Sequence, residues 1–232
     1  MSQNITWSVS IEEQFYLFWP LIFVFFPKRL WVYSILLVIV GSILFRIINN
    51  NDSIVLYFHT FSVLLDLGIG GLMALLIISN KNIRLFFENS TSILHITLFI
   101  LSFCLIFYQD TLFSFNYGAA LSRIFISFSF ALIISAQAIT KSESRFNLGN
   151  LSFANKWGKY TYGIYLIHPI AITIIDILVR VMHFPKTNFI NLFSIGAIGF
   201  IFTLFLSKMS FIYYESRFLS LKDKFTVIKT QE

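Results

Sequence analysis

The 232-residue chain is 57% hydrophobic and 19% aromatic, with only 12% charged residues and a mean hydropathy of +0.78. Its 29 phenylalanines and long apolar runs exceed what one soluble core of this size can hide, and stretches near the ~20 residues that cross a bilayer recur throughout. The net charge of +6 is scattered over short loops between those runs, which speaks against a nucleic-acid partner, and the single cysteine, Cys104, excludes an intrachain disulfide or a cysteine metal site.

An all-α, polytopic transmembrane bundle of about seven spans is therefore expected. The first span, 8–26, is preceded by Glu12-Glu13 in its opening turns and closed by Pro27-Lys28-Arg29, the reverse of a signal peptide's charged start. Ser8, Glu12, Tyr16 and Trp19 recur at helical steps and would share one face. The pair of carboxylates either faces a polar cavity or simply favours the helix N-terminus. The second span, 30–48, ends at Asn49-Asn50-Asn51-Asp52, and the third, 54–79, is long enough to tilt or kink. Spans at 92–108, 118–139, 161–182 and 189–213 follow. No linker, repeat or low-complexity stretch interrupts them, so 1–232 reads as one domain with a short basic tail over 215–232.

Loop charges orient the bundle. Lys28, Arg29, Lys81, Arg84, Lys141, Arg145, Lys156, Lys159 and the tail residues Arg217, Lys222, Lys224 and Lys229 fall on one side. The other side has Lys186, with Arg46 and Arg180 near helix ends. The positive-inside rule makes the first side and the C-terminus cytoplasmic and puts the N-terminus outside. An outside start without a signal sequence leads to the expectation of further spans upstream.

Ionisable groups within the spans are the candidates for chemistry. Asp66 lies mid-span with His59 seven residues earlier on the same helical face, and Arg123, one turn into the fifth span, is the partner expected for Asp66 or for Glu12-Glu13. His168 precedes Pro169, whose missing N–H frees a backbone carbonyl that a polar neighbour must satisfy, so the histidine could be a packing device as well as a reactive group. Asp176 and Arg180 are spaced to satisfy each other, and Glu215 with Arg217 is explained by a local ion pair. Gly68, Gly70, Gly71 and Ala74 offer surfaces for close helix contact. No phosphate-binding loop, metal-ligand spacing or nucleophile elbow is present.

Four stretches together resemble the acyltransferase 3 family of integral membrane O-acyltransferases, which includes O-antigen and peptidoglycan O-acetyltransferases. Trp7-Ser8-Val9-Ser10-Ile11-Glu12-Glu13-Gln14-Phe15-Tyr16 is similar to the family's Trp-Ser-Leu-Ser-Val-Glu-Glu-Gln-Phe-Tyr segment, and Gly158-Lys159-Tyr160-Thr161-Tyr162-Gly163-Ile164-Tyr165-Leu166-Ile167-His168-Pro169 to its Gly-Lys-x-Ser-Tyr-Gly-x-Tyr-Leu-x-His-Pro segment. The stretch from His59 through Asp66 to Ala74, and Tyr213-Tyr214-Glu215-Ser216-Arg217-Phe218 with Arg217 where proline is usual, are weaker matches. The resemblance implies transfer of an acyl group, usually acetyl from cytoplasmic acetyl-CoA, to a hydroxyl of a cell-surface carbohydrate, in a bacterial inner membrane. It implies catalytic roles for Glu12, Glu13 and His168 and substrate contacts from Trp7, Ser8, Tyr16, His59, Asp66 and Arg123. Acyl-CoA, a glycan acceptor and the lipid bilayer are the partners it implies, with no bound cofactor, no metal and no nucleic acid. It also implies a ten-span domain of which this chain is expected to hold the C-terminal two thirds, without the histidine of the family's first helix. Two other readings remain open at this stage: a seven-span receptor or transporter, and an inactive remnant of the acyltransferase.

Overall fold

A computed structural model of the chain describes residues 6–140, 150–182 and 189–225. Every regular element among the described residues is helical. Lys141, Arg145, Lys186 and Lys229, part of the charge asymmetry, lie outside the described residues.

The helices fall into two compact units. The larger begins with α1 (Thr6–Phe25), which Pro27 ends in extended conformation before a short 3₁₀ turn. Trp31 Nε1 donates to the Phe26 carbonyl at 2.8 Å, satisfying one of the acceptors a helix C-terminus leaves over. α2 (Trp31–Ile48) follows, then α3 (Ser53–Phe58), whose N-terminus is capped by Asp52: its carboxylate accepts from the Ile54 and Val55 amides at 3.0 Å. α4 (Thr60–Ser79), α5 (Lys81–Glu88), α6 (Ser92–Phe107), α7 (Gln109–Leu112) and α8 (Gly118–Ile139) complete the unit.

The core of this unit is Ile35 and Ile39 of α2 against Leu65 and Ile69 of α4 and Ala131 of α8, with Trp19 and Phe23 of α1 packed on it. Small residues allow the approach. A methyl group on Gly71 would collide with the Trp19 ring, and one on Gly68 would come within 2.8 Å of Ile39, whereas Gly70 faces open space. Large apolar side chains such as Val24, Leu37, Ile78 and Phe107 remain exposed, as a lipid-facing surface requires.

Two expected elements differ from what the residues build. The single span expected over 54–79 is broken at His59, whose backbone is extended (φ −80°, ψ 133°) and whose Nδ1 accepts from the Phe61 amide, so the histidine caps α4 instead of continuing α3. The tail expected over 215–232 starts as helix: a π-helical turn at Phe211–Glu215 leads into α12 (Ser216–Phe225). The span count also has a physical edge. Five helices among the described residues are long and apolar enough to cross a bilayer, six if α5 and α6, bent by 95°, form one broken span. α1 has the length but, with Glu12, Glu13 and Gln14, not the apolarity.

A polar cluster holds the α5–α6 bend. His95 of α6, 1% exposed, accepts at Nδ1 from Gln137 Nε2 (2.9 Å), so its Nε2 carries the hydrogen and is directed at Ser90 Oγ (2.8 Å) and Thr140 Oγ1 (3.2 Å). Thr140 Oγ1 in turn donates to the Phe87 carbonyl. The bend, α6 and the end of α8 are thereby stitched together by neutral groups.

The smaller unit contains α9 (Ser152–Gly158), α10 (Thr161–Val181), α11 (Phe189–Ser210), the π-helical turn and α12. α10 and α11 pack along their lengths. Gly163 lets the Glu215 carboxylate come close to α10, beside the buried Ser207. Glu215 accepts from Ser210 Oγ at 3.1 Å; the ion pair expected with Arg217 does not form among the described residues. The expected Asp176–Arg180 pair does, at 2.7 Å.

Candidate functional site

The end of the larger unit where α1, α4 and α8 begin and α2 finishes carries a cavity of about 610 Å³. Trp7 enters it from the first turn of α1, resting on the rings of Tyr57 (5.3 Å) and Phe58 (5.0 Å) of α3. Gln109 and Asp110 reach it from α7, and Arg46 and Arg123 from α2 and α8. It is a hollow with aromatic, amide, carboxylate and guanidinium groups converging, the mixture expected of a site for a polar organic ligand.

Asp66 and Arg123 meet as expected. Arg123 donates from both Nε and Nη2 to the Asp66 carboxylate, the Nη2 contact being 2.5 Å, and Ser127 Oγ also donates to Asp66. This bidentate fork fixes the plane of the guanidinium, and the hydroxyl fills a further acceptor site on the carboxylate. Arg123 is thus neutralised yet still lines the cavity.

Arg46 was expected only as a charge near a helix end, and the structure gives it a larger part. It is 6% exposed, and its guanidinium donates to the Leu56 carbonyl (3.2 Å), Ser62 Oγ (2.5 Å) and the Ala119 carbonyl (3.1 Å). All three partners are neutral; no carboxylate lies within ion-pair distance among the described residues, and Nε has no hydrogen-bond partner there. The only sequence signal was an arginine two residues inside an apolar span. Asp110 likewise makes no ion pair among the described residues and is exposed at the cavity. Residue reasoning did not single out Asp110, Gln109 or Tyr57.

The remaining expected residues divide. Glu12 and Glu13 are exposed on α1 and are not among the residues lining this cavity. Ser8 is half-buried and Tyr16 is 63% exposed. The face expected to unite Ser8, Glu12, Tyr16 and Trp19 is split, because the buried stripe of α1 runs through Ile11, Phe15 and Trp19, one residue away from Glu12 and Tyr16. His59 does not share a cavity lining with Arg123. Its ring stacks on Phe45 (4.6 Å) and borders a separate, largely apolar groove of about 460 Å³ with Gln14, Phe18 and Trp19. The helix break at His59 is the reason, since it removes the helical register that would have aligned His59 with Asp66.

His168 belongs to the smaller unit. Pro169 has no N–H to give the Tyr165 carbonyl four residues back, and His168 Nδ1 donates there instead, at 2.7 Å. The Ile164 carbonyl lies within 3.2 Å of the same nitrogen. Because both partners are carbonyl oxygens, Nδ1 carries the hydrogen. The ring borders a mostly apolar cavity of about 510 Å³ between α10 and α11. Its hydrogen bond to the Tyr165 carbonyl is the packing role expected beside Pro169.

A family model described as an acyltransferase domain matches residues 2–208. No curated protein and no solved structure matches the chain.

Proposed function

Since the chain belongs to the acyltransferase 3 family, whose acyltransferase domain covers most of its length, we propose that it moves an acetyl group from acetyl-CoA to a hydroxyl of a cell-surface carbohydrate. The observation that carries the acceptor half of this reading is the cavity beside Trp7, which offers flat aromatic surface, an amide and an unpaired carboxylate in one hollow. The charge asymmetry of the loops supports an outer position for that end of the bundle, where a surface glycan would be met.

The chemistry asked of the site is an acyl transfer. The acceptor hydroxyl oxygen attacks the thioester carbonyl carbon, which must reach this outer end by a route through the bundle from the cytoplasmic side; the new C–O bond forms as the C–S bond breaks, and coenzyme A leaves as the thiol. The hydroxyl proton needs a base, for which Asp110 in the cavity is the candidate, while His168, which the family segment marks as catalytic, would act in the separate cavity of the smaller unit. Arg123, held flat by Asp66, is a fixed cation in the cavity wall that would position the acceptor. Glu12 and Glu13 keep the roles their family segment suggests, shaping the acceptor's approach along the exposed side of α1.

The test is acetyl transfer from radiolabelled acetyl-CoA to extracted surface glycan, by membranes carrying the chain and its variants Asp66→Asn, Arg123→Gln, Asp110→Asn, Glu12→Gln, Glu13→Gln and His168→Ala. Loss of transfer in the cavity variants supports the reading. Undiminished transfer in all six overturns the site, and ligand binding with no acetylated product would favour a receptor or transporter instead.

A further inference from the structure

We infer that the cavity beside Trp7 takes a sugar carrying an acid group, carboxylate or phosphate, with the acid end turned toward Arg46 and Arg123 and the hydroxyl end toward Asp110. This rests on the carbohydrate-acceptor reading above and narrows the acceptor to an anionic one. Three features converge on it. Arg46 is buried to 6% exposure, hydrogen-bonded only to neutral oxygens and, among the described residues, without a carboxylate at ion-pair distance, while it lines the cavity. A cation so enclosed gains from an anion entering beside it, because charge attraction grows as water is excluded. Arg123 lines the same hollow, and its own partner Asp66 already engages its Nε and Nη2, which fixes the guanidinium in place.

Asp110 and Gln109, side by side on α7, line the same hollow. A carboxylate there welcomes hydroxyl donors. The cavity therefore offers cations from α2 and α8 and an acceptor from α7, and Trp7 and Tyr57 supply apolar faces. A simple anion such as inorganic phosphate satisfies only the cations and a neutral sugar only the acceptor. A sugar acid satisfies both.

The experiment compares binding of D-glucose, D-glucuronate and D-glucose 6-phosphate to the full chain in lipid nanodiscs, read by saturation-transfer NMR. At least one acid should bind about tenfold or more tightly than glucose, as a charge-assisted contact predicts, and the preference should shrink at high salt. The stronger of the two acids identifies carboxylate or phosphate. Arg46→Gln should bring the acids down to the level of glucose, and Arg46→Lys should keep part of the preference; if Arg46→Gln does not fold, the salt dependence of the unaltered protein decides. Equal binding of all three sugars, abolished by Trp7→Ala, overturns the acid preference and leaves the carbohydrate site standing. No binding of any of them overturns both, and an acid preference untouched by Arg46→Gln overturns the role given to Arg46.

Discussion

The larger unit buries polar groups at both ends, and the two clusters could hardly be less alike. At one end, the neutral side chains of Ser90, His95, Gln137 and Thr140 hydrogen-bond to one another, and Thr140 to the Phe87 carbonyl. At the other, Arg46, Asp66 and Arg123 are charged, an excess cation remains, and a cavity of about 610 Å³ lies alongside. A serine beside a histidine at 2.8 Å invites comparison with a nucleophile and its base, but here Nε2 is the donor, so the ring cannot take the serine's proton. Burial of polar groups is common to both ends; what separates a fastening from a site is unspent charge facing open volume.

Four measurements would break or sharpen this contrast. The largest effect is expected at the charged end: Asp66→Asn should lower acetyl transfer on the order of 100-fold, because Arg123 loses the fork that orients it. Transfer assays on protein checked for correct folding would show it, and an unchanged rate would reduce the pair to a packing element. The neutral end should respond in stability alone. His95→Ala should cost about 2–3 kcal/mol by removing the ring that Ser90, Gln137 and Thr140 share and leaving a small void, seen as a lowered Tm in detergent, with little change in rate per folded molecule. A smaller coupling is expected in the other unit. His168→Ala should cost stability, and Pro169→Ala should remove about 1 kcal/mol of that cost by supplying the amide that serves the Tyr165 carbonyl. A double-mutant cycle of thermal unfolding measures it, and additive effects would mean that His168 is not there for the proline. The smallest effect is expected for Arg84→Ala: its 2.7 Å pair with Glu88 lies on the exposed side of α5 and should be worth under about 0.5 kcal/mol.

What could be foreseen from the sequence follows from how far each partner lies along the chain. Helical spans were legible because long apolar runs leave a membrane helix as the natural way to satisfy the backbone, and the Asp66–Arg123 pair because opposite charges inside spans have few other partners. Gly68 and Gly71 were legible as contact points for the same local reason. The break at His59 was hidden, since a histidine between Phe58 and Thr60 carries no glycine or proline to announce it. Arg46 was passed over because its importance depends on Ser62 and on Ala119, 73 residues away, and two partners of His95, Gln137 and Thr140, lie 42 and 45 residues off. The exposed setting of Glu12 and Glu13 could not be read from their spacing either. Helical steps fix which residues share a face, not which face turns inward.

The break at His59 also explains how an arginine survives so deep without a counter-ion. Ending α3 at Phe58 leaves the Leu56 carbonyl beyond the reach of a continuing helix, and that oxygen receives both Ser62 Oγ and Arg46 Nη1. The interruption therefore works as hydration does, surrounding a cation with oxygen dipoles supplied by the main chain. Arginine and interruption act as one unit: a substitution that let the helix run unbroken through residue 59 would withdraw the Leu56 carbonyl from that shell and leave the charge to Ser62 and Ala119.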